Sequence, residues 1–151
     1  MTSISEVGTI FVPVADQDRA LEFYVGKLGF EKRTDMAYGD GQRWVDVAPP
    51  GAATTIALVP PTERLPAGGV SCVALTSHDI DADRAAMVAQ GVDCDEVMRV
   101  GAPVPPMFWF RDQDANTLLV VGRERQRNSR STESSTATIA LAASTCTTRG
   151  A

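Results

Sequence analysis

The 151-residue chain is poor in the groups from which protein sites are most often built. It holds one histidine, His78, and three cysteines, Cys72, Cys94 and Cys146. No two cysteines form a CxxC pair, and a lone histidine has no partner with which to hold a metal. An odd, sparse set of thiols suits a reducing compartment, so a cytoplasmic protein is expected. No apolar run approaches the roughly 18 residues of a membrane span. The start, Met1-Thr2-Ser3-Ile4-Ser5-Glu6, lacks the basic and apolar segments of a secretory signal. Aromatic residues make up only 6%, and the net charge is −5. Residues 1–124 carry 10 Lys+Arg against 18 Asp+Glu, an acidic balance that repels phosphate backbones and argues against nucleic-acid binding.

What is present is a hydrophobic fraction of 44%, enough for one packed domain of this length. The composition shifts after Glu124. Residues 125–151 are Ser/Thr-rich and basic and lack aromatics, and they read as a disordered tail or as a peptide that docks on a partner.

Before that break the chain repeats itself. An apolar strand around Phe11–Asp16 is followed by a helix over Asp18–Leu28, and a strand around Val73–Asp79 by a helix over Asp81–Gln90. Each helix has an aspartate in the N-cap place, Asp16 or Asp79, and stops at a glycine, Gly29 or Gly91. Leu21, Tyr24, Val25 and Leu28 give the first helix one apolar face. Three strand-like runs follow each helix: Phe30–Tyr38, Arg43–Val47 and Thr54–Val59, then Val92–Val100, Met107–Phe110 and Thr117–Val121. Gly39-Asp40-Gly41 marks a hairpin. The expected order is a βαβββ module over residues 6–59, a Pro/Gly-rich linker over 60–69 and a second module over 70–122, together forming an α+β fold whose curved mixed sheet encloses a central cup.

Two stretches carry a resemblance. The first is Phe11-Val12-Pro13-Val14-Ala15-Asp16-Gln17-Asp18-Arg19-Ala20 running to Phe23-Tyr24, then Leu28-Gly29-Phe30. The second is Phe110-Arg111-Asp112-Gln113-Asp114-Ala115-Asn116. They resemble the signatures that open and close members of the vicinal oxygen chelate superfamily of glyoxalases, bleomycin-resistance proteins and extradiol dioxygenases. The resemblance implies the duplicated fold, and commonly a homodimer. It does not by itself imply an activity, because the fold hosts many chemistries.

Many enzymes of that family hold a divalent metal between the modules. The corresponding positions here read Thr9, Ala57, Cys72 and Leu119. Two have no donor atom, and no His, Gln or Glu lies in residues 7–14, 54–60, 70–77 or 117–122. No metal, no other cofactor and no catalytic residue is therefore expected. A nucleophilic Cys72 lacks a histidine to activate it, and the acidic neighbours of Cys94 should raise its pKa.

Strand alternation assigns the faces. Ile10, Val12, Val14, Val45, Val47, Ile56, Leu58, Val73, Leu75, Phe108, Phe110, Leu118 and Val120 belong on the helix side. The other face carries Thr9, Phe11, Trp44, Asp46, Thr55, Cys72, Met107, Trp109, Arg111 and Leu119, the candidate ligand-binding residues. Trp44 and Trp109 could sandwich an aromatic group and Asp46 could attract a cation. Alternatively both tryptophans are ordinary core residues, and Asp46 pairs with Arg111 or meets water.

The expected function is metal-free capture of a small hydrophobic or aromatic molecule such as an antibiotic or metabolite, by a homodimer. The alternatives are a metal-dependent lyase, isomerase or dioxygenase of the same superfamily, or a dimerisation or partner-binding module without a small ligand.

Overall fold

The computed structural model describes residues 1–123; the tail read over 125–151 lies outside them. Among the described residues, eight strands form two four-stranded sheets. The first contains β1 (Thr9–Pro13), β2 (Glu31–Ala37), β3 (Arg43–Ala48) and β4 (Thr55–Val59) in the order β1-β4-β3-β2. The second contains β5 (Val70–Ser77), β6 (Asp93–Cys94), β7 (Met107–Arg111) and β8 (Thr117–Gly122) in the equivalent order β5-β8-β7-β6. In each, the first strand runs parallel to the last and the other pairs are antiparallel. This is the duplicated α+β architecture that the sequence repeat implies.

The helices start where their caps place them. Asp16 accepts bonds from the N–H groups of Asp18 and Arg19 ahead of α1 (Gln17–Leu21), and Asp79 accepts from Ala82 at the head of α2 (Ile80–Ala89). Gly29 (φ 73°) and Gly91 (φ 76°) end the two helical segments in the left-handed conformation that suits glycine. The first helix does not stay regular. It widens into a π-helical stretch, Glu22–Lys27, with Leu28 N–H bonded to the carbonyl of Phe23. Phe23 and Tyr24, both within this stretch, are buried in the core.

The run Val92–Val100, expected as a strand, is regular only at Asp93–Cys94. Beyond it, Asp95 N–H bonds Trp109 and Met98 exchanges two bonds with Met107. Three steps along this segment match two along β7, so the pairing is bulged. Gly101, Pro103, Pro105 and Pro106 then prevent it from continuing, since proline offers no N–H to a ladder.

The assigned apolar faces form one core. Val12, Val14, Val45, Val47, Ile56, Leu58, Val73, Phe108, Phe110, Leu118 and Val120 are buried together with Phe23 and Tyr24, and Ile10 and Leu75 pack on its margin. Phe23 stacks on Phe110 across the modules, with ring centroids 6.3 Å apart. Within the chain, therefore, the modules meet through their helix-bearing faces.

A buried polar knot pins them. Tyr24 donates its hydroxyl to Asp112 Oδ2 at 2.8 Å, and Asn116 Nδ2 donates to the same oxygen at 2.8 Å and to the carbonyl of Pro13 at 2.7 Å. Asp112 Oδ1 accepts from the N–H groups of Asp114 and Asn116, each at 2.9 Å. The four donors explain how a carboxylate only 7% exposed is tolerated. Burial first, then the nearby charge of Asp112, pushes the Tyr24 hydroxyl well above its ordinary pKa.

Candidate functional site

With the aliphatic faces joined, the opposite faces turn outward. Thr9, Phe11, Cys72, Ala74 and Thr76 are exposed, while Trp44, Thr55, Met107, Trp109, Arg111 and Leu119 are half-buried. The candidate residues thus fall into two groups on separate sheets. Thr9, Phe11, Trp44, Asp46 and Thr55 share one face of the first; Cys72, Met107, Trp109, Arg111 and Leu119 lie on the second. Among the described residues, no hydrogen bond, ion pair or aromatic contact links the groups. A cup between the modules is not closed within one chain; each sheet supplies an open wall.

The wall of the first sheet is the more organised. Phe11 on β1 meets Trp44 on β3 edge to face, with centroids 6.0 Å apart. Phe11 is 52% exposed, a large apolar group left toward solvent. The register places Phe11 beside Ala57, Ala57 beside Asp46, and Asp46 beside Thr34, in one row across the sheet. The Trp44 indole N–H donates to Asp46 Oδ2 at 3.1 Å. Asp46 is only 7% exposed, so it neither meets water freely nor pairs with Arg111. One row away, the Thr9 and Thr55 hydroxyls bond each other at 3.0 Å.

On the second wall, Trp109 lies opposite Leu119 and Met107 opposite Val121. Arg111 is committed to Asp95, with Nη1 at 2.5 Å from Oδ1 and Nη2 at 3.1 Å from Oδ2. That contact, more than any other, raises its pKa above the ordinary value. Cys94 is raised too, but chiefly by burial, with Asp93 and Asp95 adding to it against Arg84 and Arg111. Neither group is set up as an acid, a base or a nucleophile near neutral pH.

A metal does not fit the positions where the fold family carries its ligands. Thr9 is bonded to Thr55, Ala57 offers a buried methyl group, Leu119 has no donor, and Cys72 alone supplies a soft atom. Among the described residues, no three His, Cys, Asp or Glu side chains cluster as a divalent cation requires.

Two features escaped the sequence reading. The first is the Tyr24–Asp112–Asn116 knot: its members all stand in the quoted signatures, but nothing in the pattern says that they meet. The second is a cavity of about 420 Å³ on the opposite side of the module contact, lined by residues including Leu28, Phe30, Pro49, Leu75, Ala86 and Met87. Its lining comes from several separate elements, so no local motif announces it.

The comparisons with known proteins agree with this architecture. The profile of the Glyoxalase/Bleomycin resistance protein/Dioxygenase superfamily matches residues 6–120. Protein YetH of Bacillus subtilis (strain 168) is 30% identical over 127 residues, covering 78% of this chain and 98% of that protein. The crystal structure of TnmS3, an antibiotic binding protein from Streptomyces sp. CB03234, is 34% identical, with a TM-score of 0.74, and covers 82% of this chain and 100% of that one. A superfamily member from Sphaerobacter thermophilus DSM 20745 is 35% identical, with a TM-score of 0.73, covering 81% and 100%. The repeat, the two equivalent sheets and the profile match agree: this chain belongs to the Glyoxalase/Bleomycin resistance protein/Dioxygenase superfamily.

Proposed function

We propose that this protein is a metal-free binding protein that captures a small aromatic or hydrophobic molecule, such as an antibiotic, on its outward-facing sheets. The observation that carries this reading is the wall formed by Phe11 and Trp44. It exposes aromatic surface where family enzymes present metal ligands, and it has the mostly apolar character with few polar groups that ligand sites show. The similarity to TnmS3, described as an antibiotic binding protein, supports the same ligand class. The protein acts as a homodimer in this reading, with the second copy placing its Trp109 wall opposite the Trp44 wall to complete two cups. It works in the cytoplasm, where the free thiols of Cys72 and Cys94 stay reduced.

Titration of the purified protein with a panel of aromatic antibiotics, followed by tryptophan fluorescence, tests the proposal. At least one compound should perturb the emission, and Trp44→Ala should weaken its binding by about tenfold or more, the loss expected of an aromatic anchor. Stoichiometric divalent metal in elemental analysis would replace this reading with the enzymatic one. A monomer in sedimentation, with and without ligand, would remove the paired cups.

A further inference from the structure

Among the described residues, Asp46 is the buried polar group on the outward faces whose bonding is incomplete. It sits inside the first sheet, flanked by Ala57 on β4 and Thr34 on β2. Trp44 occupies Oδ2, whereas Oδ1 is buried and has no hydrogen-bond partner. No Lys or Arg among the described residues forms an ion pair with Asp46; Arg43 is held by Asp35 and Asp18, and Arg111 by Asp95. A carboxylate oxygen deprived of both water and donor carries an uncompensated desolvation cost. Asp112, equally buried, has both of its oxygens served by donors. The fold can therefore satisfy a buried carboxylate, and at Asp46 it leaves one acceptor over.

We infer that Asp46 selects the ligand: a flat aromatic molecule carrying a hydrogen-bond donor, either a phenolic O–H or a protonated amine, which stacks against Trp44 and Phe11 and donates to Asp46 Oδ1. This deepens, and rests on, the binding reading above. Oδ1 is buried in the free protein, so in this proposal ligand binding includes a side-chain rearrangement that opens a path to it. The same carboxylate disfavours anions, because a second negative charge would meet it in a poorly solvated place.

The test uses the full chain, ¹⁵N-labelled, with the indole N–H signals of Trp44 and Trp109 assigned through Trp44→Phe and Trp109→Phe. Four probes share one ring system: 2-naphthol, 2-naphthylmethylammonium, 2-methoxynaphthalene and 2-naphthoate. The two donors should shift the Trp44 signal with about tenfold higher affinity than the methoxy compound, as one recovered hydrogen bond allows, and the naphthoate should bind most weakly. A preference for 2-naphthol alone identifies a neutral donor, and a preference for the ammonium alone identifies a cation; either supports the inference. Asp46→Leu should erase the preference, so that the donor probes and 2-methoxynaphthalene bind that variant alike. The ranking on the unaltered protein decides the matter even if that variant fails to fold. Equal affinities of both donor probes and the methyl ether, with Trp44 still shifting, would overturn the donor inference and leave the binding site standing. No shift of either indole by any probe would remove the binding reading itself.

Discussion

The two sides of the module contact occupy equivalent places in the repeat and have opposite chemistry. On one side Tyr24 of the first helical segment reaches Asp112, and Asn116 reaches Pro13, in a sealed polar knot. Shifting by the spacing between the caps Asp16 and Asp79 brings Tyr24 to Met87, and the same shift matches Asp112 to Pro49. Met87 and Pro49 cannot make that bond; they line the 420 Å³ cavity instead. A duplication gives two copies of a contact, and only one needs to fix the angle between the modules. The knot supplies direction, because hydrogen bonds demand geometry, whereas apolar contact across the other side tolerates an imperfect fit.

That contrast can be broken most directly at the knot. Asp112→Ala strands Tyr24 and Asn116 without their shared acceptor in a buried place. It should lower the unfolding free energy by about 3–4 kcal/mol in urea titration, as the loss of a buried network does. A loss below about 1 kcal/mol would mean that the modules are held by apolar packing alone. Tyr24→Phe removes one bond and should cost about 1–2 kcal/mol. It should also change the alkaline limb of stability. The folded-state pKa of Tyr24 is raised, so its contribution is complete below the unfolded value of about 10 and declines as pH rises above it. Denaturation curves between pH 8 and about 11 should fall less steeply for Tyr24→Phe than for the parent chain.

The cavity side is sharpened by filling it. Ala86→Leu adds apolar volume at the cavity wall and should raise stability by about 1 kcal/mol. It should leave the shift of Trp44 by 2-naphthol unchanged; loss of that shift would move the ligand site from the outer wall to the cavity. The smallest effect is expected at Ala115, which holds φ 60° in the loop of the knot. Ala115→Gly should gain about 0.5–1 kcal/mol in calorimetry by relieving the left-handed strain.

Much of this was legible in the chain. The aspartate caps, the terminal glycines and the alternation of apolar residues are local signals, and Ile10 through Val120 fell on the core side as their parity requires. The weak points were also physical. The apolar spacing of the first helix gave no sign of the π-helical widening over Glu22–Lys27. The strand-like run Val92–Val100 hid a bulge, because β propensity does not register which N–H groups find partners. For the outward residues, parity placed Trp44 and Asp46 on one face. It could not say that Asp46 would be buried, or that one of its oxygens would be left over.

By itself, then, the sequence determined the repeat, the strand faces and the lack of a complete metal-donor set at Thr9, Ala57, Cys72 and Leu119. Each of these depends on residue type and spacing along the chain. Only the tertiary structure decided that the modules join through their helix-bearing faces, that the Trp44 and Trp109 walls look outward, and that one oxygen of Asp46 lacks a donor. Those outcomes depend on which distant groups come within bonding distance, and hydrogen bonding and burial are settled by that proximity.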